Sequence, residues 1–220
     1  MVKNIAIDGP AGAGKSSIAK LVAEKLGIVY VDTGAMYRSM ALSCLRSDID
    51  PEDKTAVIGR ISDVEIELKY ENGAQHIFLD GKDVSSDIRE EKVGKAASSV
   101  ARYTEVREKL VALQRELAKK QSVIMDGRDI GTVVLPDASL KIFLTASAEV
   151  RAKRRYKELT EKGEACDLSE IEKDIIARDE QDMNRAVSPL KQAEDAILVD
   201  TSEMSIDQVV DRILELAHED

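Results

Sequence analysis

The chain has 220 residues, enough for one domain with an added lobe and for a core that hides roughly 70% of the unfolded surface. A content of 43% hydrophobic and 34% charged residues excludes disorder, and no apolar run approaches the ~20 residues of a membrane span. Lys and Arg number 32 against 42 Asp and Glu, a net charge of −10 that argues against a nucleic-acid partner.

Residues 1–8 read as a buried strand (Val2, Ile5, Ala6, Ile7) that meets an abrupt glycine segment. Residues 15–26 carry Ile18, Leu21, Val22 and Leu26 at helical spacing, with Gly27 as the C-cap. Residues 28–31 form a second strand closed by Asp32, and residues 33–45 a second helix. Strand–helix–strand–helix is the signature of a parallel sheet with right-handed crossovers. The period then changes. Val64, Ile66, Leu68 and Tyr70 alternate with Glu65, Glu67 and Lys69, and Asn72-Gly73 is a hairpin signal before a strand over 75–80 and a turn at Gly81. A small antiparallel lobe is therefore expected at about residues 45–90.

Helices are expected over 92–101 and 105–119, strands over 122–125 and 140–144, and charged helices over 148–162 and 169–185. A last core strand spans 196–199 and a closing helix 206–217. The expected fold is α/β: a doubly wound, five-stranded parallel sheet with a small antiparallel insert lobe and a helical lid. Cys44 and Cys166 stand far apart and only His76 and His218 accompany them, so free thiols are expected rather than a zinc site. Aromatic residues make up 3% and Trp is absent, which disfavours a base-stacking platform. Residues 1–10 lack the pattern of a signal peptide, so the cytoplasm is the expected compartment.

The chemistry begins at Gly9-Pro10-Ala11-Gly12-Ala13-Gly14-Lys15-Ser16, which fits G-x-x-x-x-G-K-[ST]. Glycines let backbone N–H groups turn toward phosphate oxygens, Lys15 reaches the β- and γ-phosphates, and the Ser16 hydroxyl faces Mg²⁺. The helix that starts there adds its positive end. Such a loop binds ATP and does not say what receives the phosphate. Asp32-Thr33-Gly34-Ala35-Met36-Tyr37-Arg38 and Met125-Asp126-Gly127-Arg128-Asp129 both close core strands, where ligands of such sheets bind. Asp126 is the natural carboxylate for Mg²⁺ or its waters. Arg38 reads equally as a surface charge behind an N-capping Thr33.

Two charged helices leave a choice open. Ser169-x-x-Glu172 is a capping box, and its stripe runs Ile171, Ile175, Arg178, Asp182, Arg185, from apolar to charged. The charged end is either a solvated ion ladder or faces a polar ligand. In the second case Asp182→Ala should cut kcat/KM at least about tenfold and leave the melting temperature nearly unmoved. Arg151, Arg154 and Arg155 share one helix face; they are either solvated or a mobile basic segment that closes over the transferring group.

Taken together these segments resemble the nucleoside monophosphate kinases, and among them the cytidylate kinase family. The resemblance covers essentially the whole chain. It rests on IDGPAGAGKSS at residues 7–17, DTGAMYR at 32–38, AAS at 96–98 with VRE at 106–108, DGRDIGTVV at 126–134, KIFLTAS at 141–147 and RD..D.NRAVSPL at 178–190. It implies a core of 1–44, 91–147 and 186–220, a monophosphate-binding lobe of 45–90, and a lid with flanking helices at 148–185. It implies ATP, CMP and dCMP as small-molecule partners and Mg²⁺ with the ATP, without nucleic acid or membrane; the charge leans toward a monomer. ATP would lie on Gly9 to Gly14, Lys15, Ser16 and Ser17, with the metal at Ser16 and Asp126. Arg38, Arg128 and Arg185 would hold the CMP phosphate, with Thr33 and Tyr37 beside it. Ser98, Arg107 and Asp129 would read the cytosine, and Arg178 and Asp182 would meet the ribose. Lys15, Arg128, Arg151, Arg154 and Arg155 would be the catalytic cations, the last three on the lid. A kinase of the same architecture with another acceptor, UMP or a metabolite, is the alternative. A non-catalytic nucleotide sensor is a further one, and the intact Lys15-Ser16 pair weighs against it.

Overall fold

Short apolar runs that close on a polar side chain make the large sheet: NIAID, VYVD, VIMD, LKIFLT and ILVD. The computed structural model describes residues 4–71 and 74–219. Val2 of the expected first strand and the expected Asn72-Gly73 turn lie outside the described residues. In chain order the elements are β1 (Asn4–Asp8), α1 (Lys15–Leu26), β2 (Val29–Asp32), α2 (Thr33–Arg46), α3 (Lys54–Ile61), β3 (Ile66–Glu71), β4 (Ala74–Leu79) and β5 (Lys82–Asp83). Then follow α4 (Glu91–Val100), α5 (Thr104–Lys120), β6 (Val123–Gly127), β7 (Leu140–Thr145), α6 (Ala148–Glu161), α7 (Leu168–Asn184), β8 (Ile197–Asp200) and α8 (Ile206–Glu219).

The large sheet has the order β2-β6-β1-β7-β8. β1 runs parallel to β6 and β7, and β8 runs parallel to β7. This is the doubly wound parallel architecture that the sequence leads one to expect. Side chains alternate between faces along a strand. Ile5 and Ile7 of β1, Leu140, Ile142 and Leu144 of β7 and Val199 of β8 therefore share one face. They pack with Ile18, Val22 and Ala23 of α1 and with Val209, Val210, Ile213 and Leu216 of α8. The other face of β1 carries Ala6 and Asp8, so the strand ends with a carboxylate buried beneath the phosphate loop.

Two compact units make up the chain. One takes its described residues from Met1–Tyr30 and Gln121–Asp220, the other is Val31–Lys120. In the second, β3, β4 and β5 form an antiparallel sheet in which Ile66 faces Leu79 and Leu68 faces Ile77. These residues join Met36 and Met40 of α2, Val93 and Val100 of α4 and Val106 and Leu110 of α5 in a separate core. On the opposite face, Lys69 lies 4.3 Å above the Phe78 ring.

Four local features depart from the sequence reading. α3 is an unexpected helix: it is short, buries only Val57, and is held by Asp53, whose carboxylate accepts from Ala56 N–H at 3.1 Å. β5 pairs with β4 after a turn in which Asp80 and Gly81 have φ of 50° and 77°. After β6 the chain makes a π-type turn over Ile130–Val134, with Asp129 O accepting from Val134 N–H and Ile130 O from Leu135 N–H. Ser169 does not cap α7. Asp167 does, accepting from Glu170 N–H at 2.9 Å, because its carboxylate stands one residue before the helix begins.

Gly9 ties the loop to the sheet. Its φ is +149°, and a Cβ there would stand 1.9 Å from the Leu144 carbonyl oxygen of β7. Gly9→Ala is expected to destabilise the fold by about 2 kcal/mol or more, a fall of about 4 °C or more in Tm. Thermal unfolding followed by circular dichroism checks this; an unchanged midpoint would show that β7 yields without cost.

Candidate active site

The phosphate loop follows from its glycines. Gly12 and Gly14 adopt φ of 76° and 88°, a region that L side chains rarely enter. Gly14 caps α1 without a side-chain acceptor, whereas α2, α3, α6 and α7 are capped by Asp32, Asp53, Ser147 and Asp167. The first N–H groups of α1 are thus not consumed by a cap and suit an anion. Pro10, Ala11, Ala13 and Gly14 line the loop behind them, while Ser16 and Ser17 are exposed on the first turn.

Lys15 is buried, and its ammonium donates to the Pro10 carbonyl at 2.7 Å. Burial drives its pKa well below the ordinary lysine value, and the neighbouring Arg128 charge adds to that; Asp126, Asp8 and Asp182 pull the other way. A cation in this position gains by meeting an anion. Asp8 completes the underside. Its carboxylate accepts from Ile130 N–H at 2.8 Å and Gly131 N–H at 2.7 Å, fastening the turn after β6 to the end of β1. Burial pushes the Asp8 carboxyl up to about 6, against the two amide hydrogen bonds.

Ser16 and Asp126 meet. Ser16 Oγ donates to Asp126 Oδ2 at 2.8 Å, and the Tyr30 hydroxyl donates to Asp126 Oδ1 at 2.7 Å. A hydroxyl and a carboxylate on one spot are hard oxygen donors, the chemistry a magnesium ion accepts. Among the described residues no group of three or more His, Cys, Asp or Glu side chains is arranged to hold a metal. Water and substrate phosphates would therefore complete such a site. Tyr30 lies in an apolar strand and carries no sequence signal of its own.

A buried charge network stands beside the loop. Arg128 Nε donates to Asp182 Oδ2 at 2.7 Å, and Arg185 lies 4.0 Å from Asp182 Oδ1 and 3.8 Å from Asp129 Oδ1. Asp129 and Asp182 are buried. Burial alone would raise the Asp182 carboxyl, but Arg128, by charge and hydrogen bond, with Arg178 and Arg185, brings it below the ordinary value. Arg178 itself is exposed. The charged end of the α7 stripe is thus no simple solvated ladder. Arg185 stands just past the helix and donates to Ser188 O.

The three arginines of α6 face three different partners. Arg151 is buried against Asp179 and the phosphate loop. Arg154 donates to Thr201 Oγ1 and to Thr201 O. Arg155 pairs with Glu158 on its own helix at 2.9 Å. Asp179 was not among the residues expected from the sequence, because an acid beside Arg178 in a highly charged helix carries no distinguishing pattern.

The unit Val31–Lys120 holds a second group. Asp32, not Thr33, caps α2, accepting from Ala35 N–H at 2.8 Å, and Thr33 is buried in the first turn. The other Asp32 oxygen accepts from Arg38 at 2.8 Å and from Arg89 at 3.2 Å. Arg89 is a cation the sequence did not single out. Arg107 is buried, lies 5.4 Å from the centre of the Tyr37 ring and donates to Ala101 O. Ser98 is half-buried on α4.

Asp182 is the carboxylate that Arg128 and Arg185 share. Replacing it takes that shared charge partner from two arginines in a poorly solvated place, which costs about 3 kcal/mol. The nearly unmoved melting temperature expected from the sequence therefore gives way. Asp182→Ala should lower Tm by several degrees, and Asp182→Asn, which keeps one acceptor, by less. Equal and unshifted midpoints for both variants would mean that the arginines find other partners.

A family model described as Cytidylate kinase matches residues 5–219. A protein named cytidylate kinase from Desulfitobacterium hafniense is 54% identical over 218 residues, covering 98% of this chain and 94% of the relative. Another from Caldicellulosiruptor bescii is 52% identical over 213 residues, covering 97% and 94%. Among solved structures, a shikimate kinase from Bacteroides thetaiotaomicron superposes with a TM-score of 0.51 at 15% identity, covering 98% of each chain, which shows a shared fold. Among the described residues no helix is long and apolar enough to cross a membrane. Agreement at more than half of all positions over nearly the full length of both relatives goes beyond a shared phosphate loop: the chain belongs to the cytidylate kinase family.

Proposed function

We propose that this chain transfers the terminal phosphoryl group of ATP to CMP and dCMP, giving ADP with CDP or dCDP. Membership of the cytidylate kinase family carries this reading. The phosphate loop with its uncapped helix start supports the donor half of it. Transfer needs no covalent intermediate; catalysis is positioning and neutralisation of charge as the acceptor oxygen attacks in line with the leaving ADP. Lys15 follows the phosphoryl group because its ammonium exchanges a neutral carbonyl, Pro10 O, for an anion. Ser16 and Asp126 would hold Mg²⁺, which supplies charge neutralisation between the phosphates when bound. Arg128, Arg154 and Arg155 are proposed as the remaining catalytic cations; Arg151, expected among them from the sequence, is instead committed to Ala146 O, Ala11 O and Asp179 and holds the loop.

For the acceptor, Arg38, Arg128 and Arg185 are proposed to hold the phosphate, with Thr33 and Tyr37 beside it. Arg178 and Asp182 would bind the ribose, and Ser98, Arg107 and Asp129 the base. Cytosine offers an amino donor at N4 and an acceptor at N3, whereas uracil reverses both. A carboxylate at Asp129 accepts from the amino group and repels the uracil O4. The cytoplasm and a monomeric state complete the proposal.

Coupled ADP release measured with CMP, dCMP, UMP, AMP and no acceptor tests the reading. Turnover should require a cytidine monophosphate, with at least about tenfold higher kcat/KM for CMP than for UMP. Equal use of UMP would remove Asp129 from base reading, and turnover with none of these acceptors would point to a metabolite kinase. Lys15→Ala should lower kcat by orders of magnitude while the chain stays folded. Near-normal kcat in that variant would take Lys15 out of the mechanism.

A further inference from the structure

Arg151 is an odd residue for a mobile cationic lid. Its side chain is only 5% exposed, and four of its five N–H donors are occupied: Nε to Ala146 O at 2.9 Å, Nη1 to Ala11 O at 2.9 Å and to Asp179 Oδ1 at 3.1 Å, and Nη2 to Asp179 Oδ2 at 2.5 Å. The two bonds to Asp179 form the planar fork in which guanidinium and carboxylate fix each other's orientation. The stem of Arg151 also lies on the loop. A Cβ placed on Gly12 would meet Arg151 Cβ at 3.5 Å and its Cγ and Cδ at 3.9 Å.

The bond to Ala11 O has a directional consequence. In a trans peptide the C=O and the N–H point opposite ways, and no peptide among the described residues is cis. Holding the Ala11 carbonyl against Arg151 turns the Gly12 N–H to the far side of that peptide, away from the guanidinium. Gly12 is the exposed residue of the loop, and its amide lies on the side of the peptide opposite Arg151. Without the fork to Asp179, Nε on Ala146 O would be the remaining anchor of the guanidinium, and Nη1 would be less firmly aimed at Ala11 O. At Gly12, with no side chain to restrain it, the loop amide is the group most easily turned.

We infer that Asp179 is a positioning residue for ATP: through Arg151 it locks the Ala11–Gly12 peptide so that the Gly12 N–H faces the donor phosphates. It touches neither nucleotide nor the reacting atoms. The inference rests on the ATP half of the proposed function and is independent of the acceptor's identity.

Calorimetric binding of ATP with Mg²⁺, without any acceptor, tests it on the full chain. Asp179→Asn, which keeps the shape and loses the charge, should weaken ATP binding about tenfold or more. The KM for CMP should stay within about twofold, since no acceptor group is touched. Asp179→Glu should restore part of the affinity. Arg151→Lys, which cannot form the fork, should weaken ATP binding by itself, and adding Asp179→Asn to it should weaken binding little further. Affinity for ATP unchanged in Asp179→Asn, with only a lower Tm, would overturn the inference and leave a structural ion pair. So would independent, multiplying losses in the double variant.

Discussion

A charge taken out of water must be paired, and this chain gathers most of its buried charge at one place, the carboxyl ends of β1 and β6. Buried Asp8, Lys15, Asp126, Asp129 and Asp182, with half-buried Arg128 and Arg185, all belong to the unit that takes its described residues from Met1–Tyr30 and Gln121–Asp220. Asp8 holds the turn after β6, that turn presents Arg128 and Asp129, and these in turn meet Asp182 and Arg185 at the end of α7. The apolar faces of β1, β7, α1 and α8 supply the free energy that makes such a concentration of charge tolerable.

The same arrangement readies the site for anions. Lys15 and Arg151 both spend donors on carbonyls of the phosphate loop, Pro10 O and Ala11 O. A neutral carbonyl is a weaker partner for a cation than a phosphate oxygen. For Lys15, whose burial depresses its pKa, an incoming phosphate favours the charged form. Arg151 differs because a carboxylate already occupies its fork. One cation is thus set to follow the ligand and the other to hold the loop, a division of labour that two neighbouring basic residues in a sequence do not announce.

The second unit works by another rule. Its apolar cluster is built on Met36, Met40, Ile66, Ile77, Leu79, Val93 and Leu110, with Arg107 and Gln114 also buried in the unit. One of its candidate groups forms at a helix start: Asp32 caps α2 with one oxygen and gathers Arg38 and Arg89 with the other. Arginine there is oriented before any ligand arrives, which lowers the ordering cost of binding.

The sequence by itself determined the parallel sheet, the antiparallel lobe, and the phosphate loop. Each is written in a local period or a fixed spacing: alternation over residues 64–70, three- and four-residue steps over 15–26, and glycines ahead of Lys15-Ser16. Strand-end position marked Asp126 and Arg128, and the three- and four-residue stripe over 171–185 marked Asp182 as candidates. What tertiary structure decided were the partners. Tyr30 on Asp126, Asp179 on Arg151, Arg89 on Asp32 and the amides of Ile130 and Gly131 on Asp8 join residues 28 to 123 positions apart. Their identities follow no period, because a hydrogen bond across a fold depends on where two backbones end up and not on how many residues separate them. The cap of α7 failed for a related reason: Asp167 and Ser169 both offer an oxygen, and the backbone conformation before the helix chose the aspartate.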